Sequence, residues 1–269
     1  MNDLEAFAKL VQALAPWRHQ LVFIGGWGHR LHRMDPRANR LAYQPVFTRD
    51  TDLAFAHQEP IEGDIKQALT ARGFREELHG EFKPPVAHYT LGDTTQGFYA
   101  EFLTPLAGSG YKRSGAPDAT LSKAGISAQK IRHLDILLVD PWVIRLSSAE
   151  GIPLPEPMDV LVVNPLCFMV QKFLIQENRP AHKRAQDVLY IYDTIELFGA
   201  LLGDFHAQWH QRIAPQLGAG ADQVRAISAQ SFARVNDMIR EAARIPADRK
   251  PSPEQIQATC QYAFAQILG

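Results

Sequence analysis

The run LVFIGG, Leu21 to Gly26, sets four strand-forming residues against two glycines and leads directly into WGHRLHRM, whose apolar spacing is helical. This succession of strand, glycine turn and helix constrains the fold more than any other stretch. The glycines let the backbone reverse at the strand's end and leave N–H groups exposed at a helix start. Two readings of Gly25 and Gly26 stay open, a tight turn or a cradle for phosphate oxygens.

A second strand is expected in TRDTDLAFAH, Thr48 to His57, with Asp50 and Asp52 two residues apart at its head. On a strand these carboxylates stand side by side on one face, where like charges repel. Either they sit in solvent at a strand start, or a divalent cation lies between them. Mg²⁺ takes one or two carboxylates together with phosphate oxygens and water. A third carboxylate is available in GFYAEFLTPL, where alternation places Tyr99, Glu101 and Leu103 on one side. An acid inside so apolar a strand is costly to desolvate unless it has a partner, the alternative being a glutamate on a solvent-facing edge. Asp50, Asp52 and Glu101 are therefore the expected catalytic, metal-ligating set, with Mg²⁺ or Mn²⁺ as cofactor.

Around these motifs the pattern is mixed. A helix is expected over residues 4–15, stopped near Pro16, and a loop or insertion over Asp35 to Pro45. IEGDIKQALTARGF predicts a helix ending near Gly73, and AHYTLGD and GFYAEFLTPL predict strands. Gly108 to Gln129, rich in Gly, Ser, Ala and Pro, predicts a long surface loop. LDILLVDPWVIRL reads as strand, and SSAEGIPLPEPMDVLVV as a proline-rich hinge into one more. From Asn164, a candidate cap before Pro165, the pattern turns helical through NPLCFMVQKFLIQ and KRAQDVLYIYDTIELFGALL, with two or three further helices. The expected fold class is α/β (α+β), a mixed sheet flanked by helices over residues 1–163, followed by a helical domain over 164–269.

Composition excludes some functions. A net charge of −1 argues against a broad basic surface, though a local patch is compatible with it. The longest apolar stretches, such as VLVVNPLCFMV, fall short of the ~20 residues of a membrane helix. The start MNDLEAFAKLVQAL lacks a positive region followed by an apolar one, so a cytoplasmic location is expected. Cys167 and Cys260 are far apart and read as small buried hydrophobes.

With these residues in view, GGWGHR (Gly25 to Arg30) followed by TRDTD (Thr48 to Asp52) resembles the GSxxxR…TxDxD signature of the DNA polymerase β-like nucleotidyltransferases, in particular the AbiEii-like toxin group. Gly26 stands at the signature's serine, and the gap from Arg30 to Thr48 is longer than usual. LCFMVQKFLI resembles the helix whose lysine, here Lys172, contacts nucleotide phosphates, and RPAHKRAQDVLYI resembles a later RxxKDxxD motif. That motif would match Lys183 and Asp187, with Arg184 at its first aspartate and Arg179 one residue out of register.

The resemblance implies a nucleotidyltransferase fold and transfer of a nucleotidyl group from a nucleoside triphosphate to a hydroxyl of RNA, tRNA or protein. It further implies nucleotide contacts from Gly25, Gly26, Arg30, Thr48, Lys172 and Lys183, with Asp187 orienting a lysine, and an antitoxin-like partner. Lys172 also has a plainer reading as a lysine lying along an apolar helix face. An inactive module that kept the fold, and an adenylyltransferase acting on a small molecule, are the alternatives.

Overall fold

A computed structural model of the chain describes residues 2–46, 48–56, 61–92 and 97–269. They form two compact units, one of Met1–Met34 and Phe47–Val163, the other of Asp35–Val46 and Asn164–Gly269. His57, the last residue of the expected second strand, lies outside the described residues.

The first unit opens with helix α1 (Asp3–Ala13), held by a capping box between Asn2 and Glu5, and Pro16 sits in a following 3₁₀ turn. Strand β1 (Leu21–Ile24) runs directly into helix α2 (Gly25–Leu31), so both glycines belong to the helix rather than preceding it. Next come β2 (Asp50–Phe55), α3 (Ile65–Ala71), β3 (Arg75–His79), β4 (Val86–Leu91) and β5 (Phe98–Pro105). The remaining strands are β6 (Thr120–Lys123), β7 (Ile126–Ile131), β8 (Trp142–Leu146) and β9 (Met158–Val162). Among the described residues the sheet is mixed, in the order β3-β4-β5-β2-β1-β9-β8, with β7 pairing the end of β5 and β6 pairing β7.

One face of the sheet is the core. Thr51, Leu53, Phe55, Tyr89, Leu91, Phe98, Ala100 and Phe102 alternate along their strands and are all buried. Trp27, 0% exposed, stacks on Phe7 at 4.1 Å and meets Phe98 edge-on at 5.8 Å, fastening α1 and α2 to that face. Gly28 is needed here, because a Cβ on it would come within 2.9 Å of the Phe23 carbonyl oxygen. The opposite face of the same strands carries the polar residues.

Two expectations need correction, and one strand was not expected. Gly108 to Gln129 is not a loop throughout, since β6 and β7 form a hairpin inside it. Its two-residue turn, Ala124-Gly125, has positive φ at both positions (47° and 78°), the geometry that matches strand twist. These strands carry little apolar surface and are held by pairing onto β5. Asp135–Leu138 is a 3₁₀ turn, so only the later half of LDILLVDPWVIRL is strand. The charged segment Arg75–His79 is an edge strand that hydrophobic patterning does not reveal, and edge strands favour charge.

The second unit is helical: α4 (Pro165–Ile175), α5 (Ala181–Phe198), α6 (Leu202–Gln208), α7 (Ala214–Leu217), α8 (Ala219–Phe232), α9 (Asp237–Arg244) and α10 (Pro253–Leu268). The Asn164 side chain caps α4 by accepting from the Leu166 amide at 2.9 Å, with Pro165 at the first helical position. Five helices follow α5 where two or three were expected, because the breaks at Trp209–Ile213 and Gly218 divide what periodicity reads as longer runs.

The segment Asp35–Val46 belongs to this unit. The amide of Asn39 donates to the Leu197 carbonyl and the amide of Gln44 to Asp248 at 2.7 Å. Both cysteines are buried, and neither forms a disulfide. Among the described residues no helix is long and apolar enough to cross a membrane.

Candidate active site

Parallel pairing of β2 with β5 sets Asp50 opposite Tyr99 and Asp52 opposite Glu101. Residues in register on neighbouring strands point to the same side, as do residues two apart. Asp50, Asp52, Tyr99 and Glu101 thus share the polar face, and none is fully buried. The electrostatics agree. Burial and the charges of Asp52 and Asp50 push the Glu101 carboxyl up to about 7, and burial with Asp50, Glu101 and Asp52 raises the Tyr99 phenol.

The row continues outward. Glu101 is in register with His88 on β4, and His88 with Glu77 on β3. Oε1 of Glu101 lies 3.4 Å from Nε2 of His88. Burial and neighbouring His79 lower the His88 pKa, so this contact joins an uncharged imidazole to a carboxyl that keeps its proton to near neutrality, and it is not a salt bridge. The His88 ring stacks on Tyr99 at 5.2 Å and meets His79 at a tilt at 4.2 Å. Sequence reasoning did not single out His88, whose alternation with Tyr89 on β4 is the signal that would have found it.

On the other side of Asp52 lies the glycine turn. Ile24 pairs with Asp52 across β1 and β2, and the next residue, Gly25, has φ of +61°. A Cβ on Gly25 would fall 1.9 Å from Oδ2 of Asp52, so the carboxylate occupies the space that only glycine leaves. Thr48 donates its hydroxyl to Oδ1 of Asp50. Arg30 turns toward the core face, its guanidinium 4.6 Å from the Trp27 ring centroid, where burial lowers its pKa.

Three carboxylates on one face are the right donors for a hard divalent cation, and the glycine turn at their edge opens a helix, whose first N–H groups suit phosphate oxygens. The donor set therefore fits Mg²⁺ or Mn²⁺ in kind. The side chains lie side by side rather than converged: among the described residues no three His, Cys, Asp or Glu side chains already form a metal-holding group.

In the helical unit, Lys172 and Asp187 are both 7% exposed by side chain and pair at 3.2 Å. Arg179 clasps the same carboxylate with Nε at 3.0 Å and a second nitrogen at 3.3 Å. Lys172 also lies over the rings of Phe168 and Tyr190. Lys183 is apart from this cluster and reaches Gln186 at 3.5 Å. Arg179, one residue out of register with the sequence motif, is the cation that completes the cluster.

No curated protein matches the chain in sequence. Among solved structures it is similar to MenT4, a nucleotidyltransferase toxin from Mycobacterium tuberculosis H37Rv, at 15% identity and a TM-score of 0.37, over 98% of this chain and 82% of that one. The family model described as nucleotidyltransferase matches residues 2–215, which take in the glycine turn, the acidic strands and the Lys172–Asp187 helices. The chain therefore belongs to the nucleotidyltransferase family, enzymes that transfer a nucleotidyl group.

Proposed function

We propose that the chain transfers a nucleoside monophosphate from a nucleoside triphosphate to an acceptor hydroxyl on RNA or protein, releasing pyrophosphate, at the face formed by Asp50, Asp52 and Glu101. The observation that carries this reading is the register of Asp52 with Glu101 on adjacent parallel strands, beside a glycine that only Asp52 crowds. The acceptor oxygen bonds to the α-phosphorus as the bond to the bridging oxygen of the leaving pyrophosphate breaks.

Mg²⁺ or Mn²⁺ held by Asp50, Asp52 and Glu101 would neutralise the triphosphate and acidify the acceptor hydroxyl. Glu101 would complete the ion's site and so favour loss of the acceptor's proton. Thr48 fixes one oxygen of Asp50. The backbone N–H groups of Gly25 and Gly26 hold phosphate oxygens. In the helical unit Asp187 orients Lys172, and Lys172 and Lys183 supply cations suited to phosphate.

The test is labelled triphosphate with Mg²⁺ or Mn²⁺ and separate RNA and protein acceptor pools. Wild type is expected to label one pool, and Asp50→Asn to lose at least about 10³-fold in rate, the scale of removing charge stabilisation in such a transfer. Equal labelling by wild type and Asp50→Asn would overturn the reading.

A further inference from the structure

The segment from Leu106 to Leu134 contains Lys112, Arg113, Lys123, Lys130 and Arg132 against one acid, Asp118, in a chain whose net charge is −1. Folding gathers part of this charge on one surface of the first unit. Residues 110–118 form an ordered hairpin rather than an open loop. The amide of Lys112 donates to the Ala116 carbonyl at 2.8 Å, that of Asp118 to Gly110 at 2.8 Å, and Tyr111 bridges to Pro117. Its tip is Lys112-Arg113-Ser114-Gly115, all exposed.

Two neighbours enlarge the patch. Arg132, exposed at the end of β7, braces the hairpin's base by donating to the carbonyls of Gly108 at 3.1 Å and Ser109 at 3.0 Å. The Lys112 ammonium donates to the carbonyl of Lys83, which brings the 80–85 segment alongside. Pro84 and Pro85 in that segment accept hydrogen bonds from Thr120 and Ser127 at 2.6 Å, so it is tied to the β6–β7 hairpin.

The result is four exposed cations, Lys83, Lys112, Arg113 and Arg132, none paired with a carboxylate among the described residues. The acids close by in the chain are Glu81, Asp118 and Asp135, and Asp118 is already taken by Lys130 at 2.7 Å. Next to Lys112 and Lys83 in the chain are two exposed aromatic residues, Tyr111 at 64% and Phe82 at 40%. Cations alone suit any polyanion. Open rings among them suit one that presents unpaired bases, because a base has a face to stack and a carboxylate chain has none.

We propose that Lys83, Lys112, Arg113 and Arg132, with Tyr111 and Phe82, form a docking surface for single-stranded nucleic acid. The surface lies where β5 ends, and Glu101 is four residues upstream of Pro105 on that strand, about 13 Å of extended chain. Binding here is independent of the catalytic reading, so either can fail alone.

The test uses the full chain without triphosphate and a fluorescein-labelled oligouridylate, followed by anisotropy over a range of salt. Wild type should bind with strong salt dependence. Lys112→Ala with Arg113→Ala should weaken binding at least about tenfold and lower the slope of log K against log salt by about 1.4, near 0.7 for each lost contact to a single strand. Tyr111→Ala should weaken binding about tenfold with the slope unchanged.

Arg113→Ala, at an exposed tip position, serves as the second variant if the double variant's melting temperature falls, and it should lower the slope by about half as much. Unaltered affinity in the charge variants overturns the proposal. So does equal competition by polyglutamate, which would mark an acidic protein partner, or equal affinity for a duplex of the same length.

Discussion

Oδ2 of Asp52 sits 1.9 Å from the point where a Cβ on Gly25 would begin, and Gly25 holds φ at +61°. Gly25→Ala therefore meets two obstacles, a left-handed backbone costing about 1 kcal/mol and a carboxylate that has to move. Asp52 is on β2, so its side chain yields first. Nucleotidyl transfer is expected to fall about 100-fold, the scale of a 1 Å misplacement, with a loss of only about 1–3 kcal/mol in stability. Full activity in this variant would show that Asp52 is not positioned by the glycine turn.

Glu101 shapes the pH dependence of stability. Its carboxyl is raised from 4.5 to about 7, so between those values the folded chain binds more protons than the unfolded one and stability falls as pH rises. The full penalty above pH 7 is about 3 kcal/mol, at 1.36 kcal/mol for each pKa unit. Glu101→Gln removes the charge. In chelator the variant should melt above wild type at pH 8, with the gap closing toward pH 5, and added Mg²⁺ should raise the melting temperature of wild type alone. Parallel melting curves across that range would contradict the raising of the Glu101 carboxyl by burial and by Asp52 and Asp50.

The Lys172–Asp187–Arg179 cluster should respond unequally to loss of its members. Asp187→Asn leaves a buried lysine without a counter-ion, and is expected to cost about 3–5 kcal/mol in urea unfolding. Lys172→Met keeps Asp187 paired with Arg179 and adds an apolar side chain against Phe168 and Tyr190, so it should cost clearly less. Equal costs for the two variants would mean that Arg179 does not hold Asp187 by itself.

The inserted segment Asp35–Val46 is anchored at a buried ion pair. Asp193, 0% exposed, pairs with Arg249, whose guanidinium lies 3.4 Å from the Tyr43 ring centroid. Arg249→Met should loosen this clasp, speeding hydrogen exchange at the Asn39 and Gln44 amides at least about tenfold while leaving those of α4 protected. Uniform exchange across both would point to global destabilisation instead.

By itself the sequence determined what local rules can reach. Apolar period set α1, α4 and α5, with Asn164 read as a cap of α4 from its place before Pro165. An apolar run closed by glycines set β1, alternation set β5, and the two-residue spacing of Asp50 and Asp52 put them on one face. The glycine pair at the end of β1 was legible because a strand that turns at once into a helix at positive φ needs a residue without a Cβ.

What tertiary structure alone decided is who stands next to whom. Neither β2 nor β5 contains a signal for the register that places Glu101 beside Asp52, and nothing around Arg179 names Asp187 as its partner. The β6–β7 hairpin and the charged edge strand β3 carry few apolar residues in alternation, and pairing with β5 and β4 makes strands of them. Asp35–Val46 reads as a loop from its prolines, and its attachment to α5 rests on Tyr43 and Asn39 finding groups more than a hundred residues later. Propensity and periodicity act over a few residues, whereas strand pairing and buried ion pairs gain their free energy only when distant segments meet.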